Sequence, residues 1–440
     1  MMLTRVVSPA LMRTAGLVIG LFAFGRVAAT SASTGDDFRQ LVDPGWDRAD
    51  HFYTPTIAVS ADRRVMALAG SRGLAGRLHI WDLETGKRTR LLQGFTRIMV
   101  AAFSADGRFL VTGHNPGLLT VWNVTTGVAE RRIPFPNETW IRALAFSNDG
   151  RSLAVGGQSG TLYSLNYPTL DETWRTHAHH YGLSDIAFTK DAAVIYTAGD
   201  DQHIYLWNAR TGQANLPLPE LRREGGRLKA HTGMIKTIAL VDDDRKVVSG
   251  SYWEGGNVKS YTSVAPPDEI VRLWDSASGQ VLESFQLNWG TRCCIQRLDR
   301  GRRVAFVNTA GWGELDGAEK ITLRILDLDA RKVVQALTDA TPVVDPNLHG
   351  VQQFRVVPQS DVIVVGLRSG QFLLWNAVSN TVTAAFVSND DWWAIATPDG
   401  RFDVSVLSRI SLEPALAFLK TAPYRQVPGL LNRLLFGDAR

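Results

Sequence analysis

Cysteine is nearly absent: Cys293 and Cys294 are the only two in 440 residues, and they are neighbours. Adjacent cysteines close a disulfide only in strained geometry, so two packed thiols are expected in place of a disulfide framework. The signatures of several chemistries are missing too. There is no phosphate-cradling Gly-Lys-Ser/Thr and no His-Glu-x-x-His, and no cofactor or metal is expected. No long basic block occurs either. The formal charge is +4, and residues 1–29 hold three arginines (Arg5, Arg13, Arg26) without an acidic residue, leaving +1 for the remainder. A near-neutral chain of this kind excludes a general polyanion binder, and no nucleic-acid partner is expected.

What is present at the N-terminus has the form of an export signal. Arg5 and Arg13 precede the apolar run Leu17–Phe24 (LVIGLFAF), and small residues follow, with Val27 and Ala29 placed for cleavage. The run is too short to span a bilayer, so no stable membrane span is expected after its removal. These features predict a signal peptide over 1–29, a lead-in over 30–51, and a periplasmic or secreted bacterial protein.

The body of the chain is rich in what such signals lack. Thirty-nine glycines and 13 tryptophans stand in a chain that is 45% hydrophobic, enough for a large core. The tryptophans are periodic. Arg77–Leu83 (RLHIWDL) recurs as LLTVWNV, HIYLWNA, IVRLWDS and QFLLWNA, with leucine in place of tryptophan in TLYSLNY and TLRILDL. The anchors are Trp81, Trp122, Leu165, Trp207, Trp274, Leu326 and Trp375, at intervals of 41, 43, 42, 67, 52 and 49. Before each anchor an alternating apolar strand leads through a turn into a second strand. Ser104-Ala-Asp-Gly107 and Ser147-Asn-Asp-Gly150 mark such turns, since glycine tolerates the positive φ of a tight hairpin. Thr126-Gly127, Thr211-Gly212 and Ser278-Gly279 then lead to a fourth, more polar strand.

Four strands repeated at this period resemble the WD40 family, over roughly residues 52–388. The resemblance implies an all-β, seven-bladed WD40-type β-propeller, with first strands lining a central channel and fourth strands at the rim. It also implies an internal hydrogen-bond network in two copies: His179, Thr197, Asp201 and Trp207, then His231, Ser249, Asp268 and Trp274. Such sets resemble catalytic triads, but a mid-strand Ser249 is not on an exposed elbow, so the expectation is architecture and no catalytic residue. With His179 engaged in this way, the run His177–His180 (HAHH) is not expected to bind metal.

Four insertions lengthen the later repeats: Ala214–Ala230, Tyr252–Pro267, Asn308–Glu319 and Asp339–Gly350. In the propeller arrangement all four would emerge on one face. They and the nearby loop carry Trp253, Trp289 and Trp312, with Arg222, Arg223 and Arg227 beside them, residue types suited to interface anchors. These are the candidate partner-binding residues.

Residues 389–440 depart from the repeat. Trp393–Ala396 with Pro398-Asp-Gly400 imitates the start of another blade, and Ser411–Lys420 and Pro428–Phe436 read as short amphipathic helices. This stretch resembles the tail of bacterial WD40 proteins linked to caspase-like peptidases. With the sequence ending at Arg440 and both cysteines in a predicted first strand, no protease is expected. It is expected to pair with Phe38–Val42 as a partial eighth blade, or to lie across the edge of the ring. The function expected is a non-enzymatic protein-interaction scaffold. The alternatives are a regulatory or sensor module of a peptidase or signalling system, and a small-ligand site in the channel. Asp185, Lys236 and Arg355 are the ionisable side chains placed to face that channel.

Overall fold

Alternation with period two, cut every few residues by glycine turns, can bury both faces of a short sheet only between like neighbours. The computed structural model shows that outcome. It describes residues 56–69, 78–92, 97–214, 228–229, 231, 233–252, 270–286, 291–298, 302–308, 322–337, 351–367, 372–388, 393–405 and 425–436. Six antiparallel sheets of four strands follow one another along the chain, and a closing sheet of seven strands completes the set. Blade four, for instance, runs Leu183–Phe188, Val194–Gly199 and His203–Asn208, then Leu228–Lys229. Each inner strand neighbours the next, and the last of them, Val351–Val356, neighbours the first, Thr56–Val59. The fold is therefore an all-β WD40-type propeller. The expectation of seven like blades is corrected to six four-stranded blades and one extended closing sheet.

The predicted turns form as a side-chain lock. Ser104 Oγ donates to Asp106 at 2.6 Å, the carboxylate accepts the Arg108 amide at 3.1 Å, and Ser104 Oγ accepts the Phe109 amide at 3.0 Å. Ser147 and Asp149 repeat the set, as do Thr189 and Asp191. The fourth residue of the turn takes positive φ, which Gly107 and Gly150 adopt at 67° each.

The residues after Ser388 explain the extra strands. Trp393–Ala396 pairs with the outer strand Thr381–Ser388, Arg401–Val404 follows, and Arg425–Gln426 adds a parallel strand. Alternate side chains go to opposite neighbours: Ala394 and Ala396 join the cluster of blade six, while Trp393 and Ile395 join that of blade one. The helix Leu430–Phe436 buries Leu430, Leu431 and Leu435 in the same seam. Trp393 meets Trp81 edge-on at 5.1 Å, and Asn432 donates to the Leu83 carbonyl at 2.9 Å. The tail thus lies across the edge of the ring, and the helix predicted over 428–436 is present from 430. Phe38–Val42 and the helix predicted over 411–420 lie outside the described residues, as do residues 1–55.

Two outcomes follow. Trp393→Ala removes a fully packed indole from the seam and should cost roughly 3–5 kcal/mol, read as a lower denaturant midpoint. The turn carboxylates supply a pH signature. The Ser147 hydroxyl beside Asp149 and the Thr189 hydroxyl beside Asp191 hold both carboxyls below their ordinary 3.8. A depressed folded-state pKa adds stability that is complete above the unfolded value and is lost as pH falls through the folded one. Melting temperature should fall steeply below about pH 4, and Asp149→Asn should flatten that slope.

Candidate functional site

Each inner strand begins, and each second strand ends, on one face of the ring, as the pairing of Leu183 with Gly199 shows. This entry face carries the loops between blades and those between second and third strands. Its geometry is set first by the network around the anchor tryptophans. In blade four the Trp207 indole donates to Thr197 Oγ1 at 3.0 Å, Thr197 donates to His179 Nε2 at 2.9 Å, and His179 Nδ1 donates to Asp201 at 2.8 Å. That chain of donors sets the His179 tautomer. Burial works to raise the Asp201 pKa, but His179 and the amides of His180 and His203 outweigh it and hold the carboxyl below its ordinary range. In blade five Trp274 donates to Ser249 and Ser249 lies 2.8 Å from His231 Nε2; Asp268 lies outside the described residues.

Two variants of this lock escaped the sequence reading. In blade two, Trp122 donates to Thr112 at 2.9 Å, and the histidine partner is His114, two residues along the same strand, at 2.8 Å. His114 stands where blade four has Gly199, whose missing Cβ leaves room for the His179 ring. The ring therefore fills the same space from a different backbone. Blade three replaces the tryptophan by Leu165 and the threonine by Val155, so no indole needs an acceptor. There Glu138 packs over Gly157, accepting from the Ser159 amide at 2.8 Å, the Ser159 hydroxyl and Tyr163 at 3.2 Å. Burial, with the Glu138 charge behind it, pushes the Tyr163 phenol up to about 12. The closing sheet is the incomplete case. Trp375 is fully buried and pairs beside Ile363, yet the threonine position holds Val365, and among the described residues the indole N–H has no acceptor.

Toward the channel, inner-strand side chains bind the next inner strand. Asp185 accepts the Ile186 and Ile238 amides at 2.9 Å each. Thr237 accepts the Ile295 amide at 2.6 Å, Gln296 the Val356 amide at 2.8 Å, and Gln353 the Ile57 amide at 2.7 Å. Burial raises the Asp185 pKa, against those hydrogen bonds and the Arg355 charge. Lys236 leans toward the entry face. Its Nζ lies 2.8 Å from Asp200 Oδ1, while Arg142 Nη1 lies 2.6 Å from Oδ2 and Ser184 Oγ donates to Oδ1 at 3.0 Å. Burial works to raise the Asp200 pKa, and the Arg142 and Lys236 cations overcome it and lower it. This cluster joins blades three, four and five at the channel mouth.

The candidate anchors Trp253, Trp289, Trp312, Arg222, Arg223 and Arg227 lie outside the described residues. The flanks of their segments are described, and they correct one expectation. Ala214 bridges to Trp207, and Leu228–Lys229 pairs with His203–Ile204, so the first insertion interrupts the outer strand of blade four and starts from the rim. The other three leave from Tyr252, Asn308 and Leu337, strand ends on the entry face. His177 and His180 meet edge-on at 6.3 Å, and among the described residues no three His, Cys, Asp or Glu side chains stand together as for a metal. Among the described residues no helix is long and apolar enough to cross a membrane.

Comparison with known proteins agrees with this architecture. The family model "WD domain, G-beta repeat" matches residues 132–163 and 171–208. A WD repeat-containing protein of Schistosoma mansoni is 27% identical over 34% of this chain and 50% of its own length. A pre-rRNA-processing protein of Schizosaccharomyces pombe is 22% identical over 52% and 54%. The chain thus spans about half the length of these relatives. A chain of the crystal structure of a mitotic checkpoint complex superposes with a TM-score of 0.59 at 14% identity, covering 75% of this chain and 92% of that one, which shows the fold alone. The relatives also overturn one expectation: they are eukaryotic WD-repeat proteins, which points against a bacterial periplasmic protein.

The networks predict opposite effects at equivalent positions. Thr197→Val removes the group that links His179 to Trp207, leaving two buried polar atoms without a partner, and should cost about 1–3 kcal/mol. Val365→Thr supplies the acceptor that Trp375 lacks and should stabilise by about 1 kcal/mol. Chemical denaturation of both variants measures the two signs.

Proposed function

We propose that this chain is a non-enzymatic protein-interaction scaffold whose partner docks on the entry face. WD40 propellers generally act as protein-interaction scaffolds, and their WD40-repeat relatives are typically non-enzymatic. One observation carries the reading to a particular face. The long segments of blades five and six and of the junction with the closing sheet all leave from strand ends on that face, the face on which the ion cluster of blades three to five also lies. Length added to one face, over a rigid ring, enlarges a surface without touching the core. Trp253, Trp289 and Trp312 are the proposed hydrophobic anchors, and Arg222, Arg223 and Arg227 are the proposed directed donors.

The two other readings have less support. The inner-strand amides engage Asp185, Thr237, Gln296 and Gln353, which leaves fewer polar groups to hold a small ligand in the channel. A regulatory role beside a peptidase rests on the tail alone, and here the tail is built into the ring.

The test is a comparison of proteins captured by the full chain and by Trp253→Ala/Trp312→Ala. Loss of a specific partner from a variant that melts like the parent is the expected result. An unchanged set of captured proteins would remove these two anchors from the proposal. A chain with residues 253–267 and 309–319 shortened tests the face itself, and full retention of partners by that chain would sink it.

A further inference from the structure

We propose that the mouth of the channel over blades three to five receives a carboxylate side chain from an acidic peptide segment of the partner. The inference rests on the scaffold reading and names the chemistry recognised at its centre. Arg142, Asp200 and Lys236 have side chains only 18%, 15% and 13% exposed, and two cations share one carboxylate. Charges withdrawn from water to this degree are stable when matched, and among the described residues one positive charge of this cluster is in excess. Asp200 is fully committed: Arg142 holds Oδ2, and Lys236 and Ser184 hold Oδ1. Its lowered pKa keeps it anionic, so the surplus is one charge and not two.

The arrangement is also built rather than accidental. Arg142 starts on blade three and crosses to Asp200 over Gly182, where a Cβ would lie 1.9 Å from Nη1, so the absence of a side chain there opens the path. Gln158 Oε1 accepts from the same nitrogen at 3.1 Å and fixes its direction. Tyr181, 66% exposed, stands in the loop just before Gly182, and half-buried Trp140 stands in blade three where blade four has Gly182, the carbonyls of Trp140 and Gly182 accepting the amides that follow their second strands, Gln158 and Asp200. Large rings so close in sequence to Arg142 and to the glycine it crosses offer the apolar contact that peptide recognition adds to charge. The chain as a whole is near neutral, so this is a point of positive charge and not a track for a polyanion. A peptide carboxylate supplies the missing counter-charge.

The experiment uses the full chain and three short probes of equal length: a glutamate-rich peptide, its glutamine counterpart and a single-stranded oligonucleotide, with binding followed by calorimetry. The glutamate peptide should bind at least about tenfold tighter than the glutamine one, with affinity falling as salt rises. Arg142→Gln/Lys236→Gln should abolish the difference, while Lys190→Gln, on the opposite face, should leave it intact. Asp200→Asn gives the sharper result. It frees both cations and should tighten the glutamate peptide several-fold, a gain that a damaged fold cannot imitate. Equal binding of the two peptides, tighter binding of the oligonucleotide, or no gain from Asp200→Asn would each overturn the proposal. If partner capture still depends on the insertions while these fail, only the carboxylate site is lost. If capture is independent of the insertions, the scaffold face falls as well.

Discussion

Every blade buries its faces against its neighbours, so the ring holds only if the last sheet also finds the first. At that seam Gln353 accepts the Ile57 amide, repeating the contact that inner strands make elsewhere around the channel. A single hydrogen bond contributes about 1 kcal/mol and cannot close a ring against chain entropy. The closing energy lies farther out, where Trp393, Ile395, Leu430, Leu431 and Leu435 pack against Ile57, Met66, Leu68, Trp81 and Leu83. Residues from the two ends of the described chain thus share one apolar cluster. The seam is closed by a tail wedged into the groove, with Asn432 bound to the Leu83 carbonyl and the Gly429 amide bound to Asp403.

The tail explains an apparent excess in the sequence. An open outer strand is a template for unwanted pairing, and propellers restrain it with charge. Blades one to three follow that rule: their outer strands read KRTRLL, AERRIP and ETWRTH. The closing sheet has TVTAAFVS, which carries no charge at all. It is the strand that the tail covers, through pairing with Trp393–Ala396. Blades five and six are intermediate, with Val281, Leu282, Val333 and Val334 exposed and an Arg331–Glu283 ion pair at 3.2 Å between them.

Much of this was legible in the residues. The anchor tryptophans and Ser-x-Asp-Gly turns are local patterns with local causes, and they located the blades and the His179 and His231 networks. What was not legible depends on contacts far apart in sequence. Trp393–Ala396 imitates an inner strand in its alternation, but its place is decided by which edge is open, and it pairs outward. His114 was overlooked because it reaches Thr112 from within its own strand, two residues on; the visible signal was a histidine where a glycine stands in other copies. The interruption of the blade-four outer strand could not be read from length, since a loop between blades and a loop within a strand lengthen the repeat alike. Asp185 and Lys236 were placed at the channel by alternation. Their hydrogen-bond partners, the Ile238 amide and Asp200, lie on neighbouring strands or loops and carry no local mark.

The differing locks bear on why one face can vary so freely. In blades two, three and four the end of the second strand is fixed from inside, by His114, Glu138 or His179, each buried against the strand that precedes the entry-face loop. A loop anchored at both ends by buried polar contacts can grow at its tip without changing the register of the strands beneath. Loop-closure entropy rises only slowly with length, so the cost of such growth is small. Two kinds of side chain, reaching the corner from three different backbone positions, indicate that the requirement is a filled, hydrogen-bonded corner and not a particular residue. The entry face can therefore vary in length above such corners while the channel belt and the seam keep the ring unchanged.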